Sequence, residues 1–419
     1  MISGSMPASE RETVSDAGVV NSTTASPLAR FPHLARARVA LVHDYLFEAG
    51  GAEYVAGVLC QLFPDAPLYT SIVDPRTLAP AFTGHELRTS FMQRITHQKR
   101  FAKALLPLYP FAFRRFDFSA YDLIVSSSSG FAKDVRVPPG VTHVCYCHTP
   151  AHFIWDLNTY ARSHASRGLP LDLLVAPLLP ALRAWDRATA QSVAAFVANS
   201  AHTRSRIATV YGRDATVIYP PIELSAWHTS SERDDYFLVV SRLLPYKRVD
   251  LAVRACTALG LPLRVVGAGP DRERLQAIAG PTVVFEGRVA TEVLRQRYAR
   301  CQAFILPGAE DLGLTALEAQ AAGRPVIALR AGGALETVRE GTTGAFFDAP
   351  EPEALAEILR TFDSTAFDPA VIRAHAASFD VGVFSERLLA LLDGVLAART
   401  TNGTERGYAR HAGQAERIW

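Results

Sequence analysis

Short apolar runs recur along the chain, each closed by turn-forming residues and followed by a longer segment whose apolar positions return at helical spacing. In the first half these runs are Arg38–Asp44, Leu68–Val73, Tyr121–Ser126, Val141–Cys147, Val193–Asn199 and Ala215–Tyr219. In the second half they are Tyr236–Ser241, Leu263–Val266, Val283–Glu286, Ala303–Leu306, Val326–Leu329 and Gly344–Phe347. A continuous apolar run of this length fits a strand covered on both faces, as in a parallel sheet. Alternation of such strands with helices predicts βαβ units and an α/β fold. Pro220-Pro221 and the polar stretch Ala226–Asp235 interrupt the rhythm once. We therefore expect an N-terminal Rossmann-like domain at 37–222, a linker at 223–235 and a second Rossmann-like domain at 236–380. The helical pattern from Val381, taken to residue 398, is placed to cross back onto the first half. Residues 1–36, rich in Ser, Thr, Ala and Pro, are expected to be a disordered leader, and 399–419 a disordered tail.

Composition narrows the classes. A chain of 419 residues is long for one core and fits two domains. With 49% hydrophobic and 20% charged residues it is globular. The 43 Lys and Arg nearly balance the 41 Asp and Glu, so no global charge points to nucleic acid. Cys60, Cys145, Cys147, Cys256 and Cys301 are scattered without a CxxC pair, which indicates neither a zinc site nor a disulfide framework and fits a reducing compartment. No apolar stretch is long enough to span a bilayer, and the N-terminal residues lack the apolar centre of a signal peptide.

One segment stands apart. From Arg88 to Phe116 the chain carries seven Lys or Arg, no acid, and six interleaved aromatics. Phe91, Ile95, Ala102, Leu105 and Leu106 fall roughly on one helical face, with Arg94, Lys99, Arg100 and Lys103 largely elsewhere. That pattern suits a helix lying on an anionic bilayer, a surface for single-stranded nucleic acid, or an amphipathic core helix with a solvated basic side. The pattern alone does not choose among them.

The candidate chemistry lies in the turns. After Ala303–Leu306 the chain runs Pro307-Gly-Ala-Glu310-Asp311-Leu312-Gly313-Leu314-Thr315, then a helix that Gly323 and Pro325 end. A helix start after a glycine-bearing loop offers unpaired N–H groups and the positive end of the dipole, which suits phosphate. Glu310 and Glu318 bracket this turn, and Thr315-x-x-Glu318 also matches a capping box, so Glu318 has a purely structural alternative. Arg242 and Lys247 follow the strand Tyr236–Ser241, where two cations would neutralise a diphosphate or simply be solvated. Gly50-Gly51 opens the first helix, and His148 ends a strand at the position where open sheets place ligands. Gly267-Ala-Gly269 mimics a dinucleotide fingerprint but lacks its third glycine, since Arg272 occupies that position.

Together these residues resemble the retaining glycosyltransferases of family 4. Glu310 and Glu318 match that family's E-x7-E signature within Pro307-Gly308, Gly313-Leu314 and Gly323-Arg-Pro325. Ser241-Arg242-Leu243 with Lys247, Val266-Gly267-Ala-Gly269-Pro270, Phe285-Glu-Gly287, Gly50-Gly51-Ala-Glu53 and His148-Thr-Pro150 also fit, and the likeness extends roughly from Arg38 to Ala397.

The resemblance implies a GT-B fold, two Rossmann-like domains facing across a donor cleft, with the C-terminal helix crossing back to the N-terminal domain. It implies catalytic roles for Glu310, His148, Arg242 and Lys247. Arg242 and Lys247 would grip the donor diphosphate, while Glu310 and His148 would contact the donor sugar. Glu318 would hold the ribose, and the backbone N–H groups of Asp311, Leu312, Gly313, Leu314 and Thr315 would serve sugar and phosphates. Gly287 and Arg288 would border the base, and Gly50 and Gly51 the diphosphate and acceptor. No DxD motif is present, so no metal or other cofactor is expected. Leu41-Val-His-Asp-Tyr-Leu and Leu62-Phe-Pro-Asp-Ala-Pro resemble bacterial mannosyltransferases of O-antigen and exopolysaccharide assembly. That implies GDP-mannose as donor and a polyprenyl-diphosphate-linked saccharide as acceptor. It also implies a cytoplasmic enzyme, peripheral on the inner face of the plasma membrane, with no nucleic-acid partner. A UDP- or dTDP-sugar donor, or a non-catalytic sugar-nucleotide-binding protein, are the rival readings.

Overall fold

The computed structural model describes residues 27–47, 50–96, 105, 108–155, 177 and 179–415, with backbone alone from residue 400 onward. Strands β1 (Val39–His43), β2 (Leu68–Thr70), β3 (Leu87–Thr89), β4 (Leu123–Ser128), β5 (Thr142–Cys147), β6 (Ala195–Ala198) and β7 (Ala215–Val217) form one sheet. Its order is β3-β2-β1-β4-β5-β6-β7, with every pair parallel. Strands β8 (Phe237–Val240), β9 (Leu263–Val266), β10 (Val283–Gly287), β11 (Phe304–Leu306), β12 (Val326–Leu329) and β13 (Gly344–Phe347) form the second, again parallel, in the order β10-β9-β8-β11-β12-β13. These are the two expected Rossmann-like halves. β1, β4 and β5 are buried at every residue, which is why they appear as unbroken apolar or small-residue runs. In each sheet the order reverses beside its first strand, between β1 and β4 and between β8 and β11. Such switch points leave a crevice at the strands' carboxyl ends.

The last helix, Val381–Ala415, makes the expected crossing. Phe384, Leu388, Leu389, Leu392 and Leu396 enter the core that also holds Leu41, Val125 and Val144 of the N-terminal sheet. Each fully buried side chain of this kind contributes roughly 1.5–3 kcal/mol. The helix runs past the boundary expected at residue 398.

Other expectations are corrected. Composition places residues 27–36 in the leader, yet Phe31 and Leu34 are buried in the same core. The N–H groups of His33 and Leu34 both donate to Asp393 Oδ1 at 2.8 Å. Two apolar side chains suffice to dock a short 3-10 turn that composition describes as loose. Residues 1–26 lie outside the described residues. The linker is packed as well: Trp227 is buried, and the carbonyls of Ser230 and Glu232 accept from Arg324 Nη2 at 2.9 Å.

The described part of the basic segment is strand β3, a 3-10 turn at Phe91–Arg94 and a helix at Tyr109–Arg114; Ala102 and Leu106 of the expected helical face lie outside the described residues. Most of its apolar side chains turn inward. Met92, Tyr109, Ala112 and Phe113 are buried, and Phe91 and Phe116 pack against them. Ile95 and Phe111 remain 55% and 60% exposed. Lys99, Arg100 and Lys103 lie outside the described residues.

Candidate functional site

Both switch points open on one cleft between the domains, a cavity of about 1380 Å³. His148, Gly50, Gly51, Arg242, Lys247, Glu310, Asp311, Leu312, Gly313, Leu314 and Thr315 all line it. Glu318, Gly287 and Arg288 do not. Gly287 and Arg288 sit at the end of the edge strand β10, and the Glu318 side chain turns toward Tyr298.

The C-terminal wall is built by two loops. After β8, a 3-10 turn at Pro245–Lys247 ends at Arg248, a non-glycine residue in the left-handed region (φ 53°, ψ 33°). Such a conformation is costly and is tolerated where surrounding contacts enforce it. The turn aims Lys247 Nζ at Glu310 Oε2, forming an ion pair whose side chains are 14% and 19% exposed. Burial works against the ammonium, but Glu310 and the neighbouring Tyr246 outweigh it and hold the Lys247 pKa above its ordinary value. Arg242 is exposed on the same wall, its Nη2 3.4 Å from Tyr246 Oη.

After β11, the loop bearing Glu310 is clamped from behind. Gly333 N–H donates to the Glu310 carbonyl at 2.9 Å, and a Cβ at Gly333 would lie 2.2 Å from Leu312 Cα. The helix Leu314–Ala321 then starts from Gly313 (φ 89°, ψ 63°), with no side-chain cap. The capping-box alternative for Glu318 is thereby excluded. Glu318 lies a full turn inside the helix and accepts from Tyr298 Oη at 2.9 Å. Burial pushes its carboxyl up to about 7 despite that bond.

The N-terminal wall comes from the ends of β1, β4 and β5. Asp44 is 3% exposed, and its carboxylate accepts from the N–H groups of Ser129, Phe131 and Ala132 at 2.6, 2.8 and 2.7 Å. That fixes the loop leaving β4. Ser127 Oγ lies 3.1 Å from His43 Nδ1 and 2.8 Å from His148 Nε2. Burial pushes the two histidines down to about 4 and about 3, so both imidazoles are neutral near pH 7. Gly51, at the start of the first helix, faces the other domain: a Cβ there would be 2.9 Å from Leu314 Cδ1.

Polar contacts cross the cleft. Arg206 Nη1 lies 3.2 Å from Asp311 Oδ1, and His152 Nε2 3.4 Å from Asp311 Oδ2. Burial opposes ionisation of Asp311, but His152 and Arg206 keep its pKa below the ordinary value. Glu336 accepts from the N–H groups of Ala201 and His202 at 2.7 and 3.1 Å, placing a carboxylate at the positive end of the helix Ala201–Tyr211. Among the described residues, no group of three His, Cys, Asp or Glu is placed to hold a metal ion.

Sequence alone does not single out His43, Asp44, Ser127, His152 or Arg206. His43-Asp44 ends a strand just as His148 does, and that shared position was the available signal. Ser127, His152 and Arg206 carry none, because their partners are distant in sequence.

Residues 49–226 match the family model described as Glycosyltransferase Family 4, and residues 223–365 the one described as Glycosyl transferases group 1. The GDP-mannose-dependent alpha-(1-6)-phosphatidylinositol monomannoside mannosyltransferase of Mycobacterium tuberculosis is 33% identical over 213 residues, 43% of this chain and 55% of that protein. The D-inositol 3-phosphate glycosyltransferase of Acidothermus cellulolyticus is 33% identical over 193 residues, 40% of this chain and 43% of that protein. The chain thus spans about half the length of the curated relatives it matches. Among solved structures, HepE of Anabaena in complex with UDP and glucose superposes with a TM-score of 0.63 at 18% identity, over 85% of this chain and 99% of that one. Sucrose-phosphate synthase from Thermosynechococcus elongatus gives 0.64 at 18% identity, over 86% and 99%. At these identities the likeness concerns the fold alone. With the two facing sheets, the E-x7-E spacing and both family models in agreement, this chain belongs to the family 4 glycosyltransferases of GT-B architecture.

Proposed function

We propose that this chain is a retaining glycosyltransferase that moves mannose from GDP-mannose to a lipid-linked saccharide in bacterial surface polysaccharide synthesis. The observation that carries this reading is the Lys247–Glu310 pair at the switch point of the C-terminal sheet, with His148 lining the same cleft from the other domain. Lys247 and Arg242 take the donor diphosphate, whose negative charge grows as the sugar–phosphate bond breaks. Fixed cations stabilise that charge most where it is greatest, in the transition state. The helix Leu314–Ala321 adds the positive end of its dipole, so the leaving group needs no divalent metal. Glu310 shares the Lys247 ammonium with the diphosphate and faces the sugar, where a carboxylate stabilises developing positive character without acting as a nucleophile. The acceptor attacks from the side of departure, with the donor phosphate drawing its proton. Gly50 and Gly51, which line the cleft, border the diphosphate and the acceptor.

Guanosine and mannose are supported by the mycobacterial relative, a GDP-mannose-dependent mannosyltransferase. The test is a donor screen by thermal shift and hydrolysis, comparing GDP-mannose with UDP- and dTDP-sugars, with and without EDTA. GDP-mannose is expected to stabilise most and to hydrolyse slowly, unaffected by EDTA. A preference for another nucleotide overturns the donor. Loss of activity to EDTA with rescue by Mg²⁺ overturns the metal-free mechanism. Binding without turnover, even with acceptors supplied, favours a non-catalytic sugar-nucleotide-binding protein.

The acceptor in this reading is a polyprenyl-diphosphate-linked saccharide at the inner face of the plasma membrane. No helix among the described residues is long and apolar enough to cross a membrane. Peripheral binding is supported by exposed Ile95 and Phe111 on the basic segment that also carries Arg94 and Arg114. Charge reversal at Arg94, Lys99, Arg100 and Lys103 is expected to weaken binding to anionic vesicles, each cation being worth about 1 kcal/mol near the surface. Unchanged sedimentation with vesicles removes the idea.

A further inference from the structure

Proton positions in the chain His43–Ser127–His148 follow from which atoms are able to donate. His43 Nδ1 lies 3.1 Å from the Ser127 carbonyl oxygen and 3.1 Å from Ser127 Oγ. A carbonyl oxygen accepts and never donates, so His43 Nδ1 carries the hydrogen. Ser127 cannot return its own hydrogen to that nitrogen. The hydroxyl's other neighbour is His148 Nε2 at 2.8 Å. Ser127 is fully buried, so its hydrogen needs an acceptor, and an unpaired buried donor is costly. Nε2 of His148 is therefore the acceptor. Since this ring is neutral near pH 7, its hydrogen sits on Nδ1.

A neighbouring pair gives the contrast. Ser126 Oγ lies 2.8 Å from His143 Nε2, but His143 Nδ1 is sealed from solvent without a partner. His148 Nδ1 is not among the sealed atoms, and His148 lines the cleft. One histidine ends inside the core, whereas the other has a ring nitrogen open toward the cavity.

We propose that His43 and Ser127 are positioning residues that lock His148 as the Nδ1–H tautomer, so that it donates a hydrogen bond to an oxygen of the bound sugar nucleotide. The identity of that oxygen rests on the proposed function; the tautomer does not. Carrying a hydrogen, Nδ1 orients a hydroxyl or phosphate oxygen and is not a proton acceptor. Depth in the core makes the arrangement rigid: β1, β4 and β5 are adjacent, with His43 paired in register to Ser127 and Ser128 to Cys147, the residue before His148.

The test uses the full chain with ¹⁵N-labelled histidine rings, with His148 assigned by comparison with His148→Gln. Wild-type protein is expected to show a protonated Nδ1 and an unprotonated Nε2 at His148. Ser127→Ala is expected to shift His148 toward the other tautomer, Ser127→Thr to preserve it, and His143 to stay unchanged as a check on folding. A protonated Nε2 in the wild type, which needs no variant to observe, overturns the proposal, as does an unchanged His148 in a folded Ser127→Ala protein. Ser127→Ala is further expected to weaken GDP-mannose about fivefold to tenfold, the worth of one hydrogen bond. If the oxygen belongs to the sugar, affinity for GDP stays unchanged; if it belongs to a phosphate, both affinities fall. A wild-type protein with the expected tautomer but no affinity for any sugar nucleotide overturns the donor assignment and leaves the tautomer standing.

Discussion

Lys247→Ala is expected to lower sugar transfer by roughly 10²–10³-fold, the usual cost of removing one group that stabilises transition-state charge. Arg242 lines the same cleft but is exposed, so it does not reproduce an ammonium held against Glu310. Glu310→Gln is expected to reduce transfer by a similar order, since it removes the carboxylate proposed to face the sugar while keeping the side-chain volume. Because the two residues form one ion pair, their effects are expected to be non-additive, with the double variant costing less than the product of the single losses. Steady-state rates with GDP-mannose, alongside urea unfolding to show that both proteins remain folded, check the prediction. Wild-type turnover in either variant would sink the site assignment.

Lys133→Met is expected to be among the most destabilising changes in the N-terminal domain, although Lys133 takes no part in the proposed chemistry. Its Nζ lies 2.5 Å from Asp134 Oδ1 and 2.5 Å from Asp186 Oδ1, and all three side chains are at most 2% exposed. Asp186 also accepts from Trp155 Nε1 at 2.6 Å, and Thr189 donates to Asp134. Burial disfavours the ammonium, but the two carboxylates keep its pKa above the ordinary lysine value. Methionine would leave two buried carboxylates facing each other without a cation. Breaking such a cluster costs about 3–5 kcal/mol. The sign with pH follows: the carboxylates of the variant escape the penalty by taking up protons, so the deficit relative to wild type should shrink as pH falls. Replacing all three together, Lys133→Met with Asp134→Asn and Asp186→Asn, is expected to recover most of the stability. Urea midpoints at neutral and mildly acidic pH measure both effects. A single variant as stable as wild type would show that the cluster contributes little.

Where the chain resisted reading, the reasons are specific. Strand β3 is a three-residue edge strand, Leu87–Thr89, with an intermediate-to-exposed pattern, so it lacks the apolar run that announced the other strands. The aromatics of the basic segment carry the same composition whether they face lipid or core. Only packing shows Phe113 fully buried and Phe111 exposed two residues earlier. Thr315 and Glu318 stand at capping-box spacing, but the helix begins two residues too early for Thr315 to cap it.

The sequence by itself determined every strand but β3, the division into two halves, the crossing helix and Glu310, Lys247, Arg242 and His148 as candidates that the fold brings to one cleft. These signals are local: an apolar run buried on both faces and a glycine-bearing turn are written in neighbouring positions. Only the tertiary structure decided which side chains meet. Lys247 and Glu310 are 63 residues apart, Arg206 and Asp311 105, and His43 and Ser127 84. Those pairings depend on strand order and on two sheets brought face to face, so the period of the chain carries no trace of them. Topology also freed Glu318 from capping its helix and turned a serine between two histidines into the residue that sets a proton.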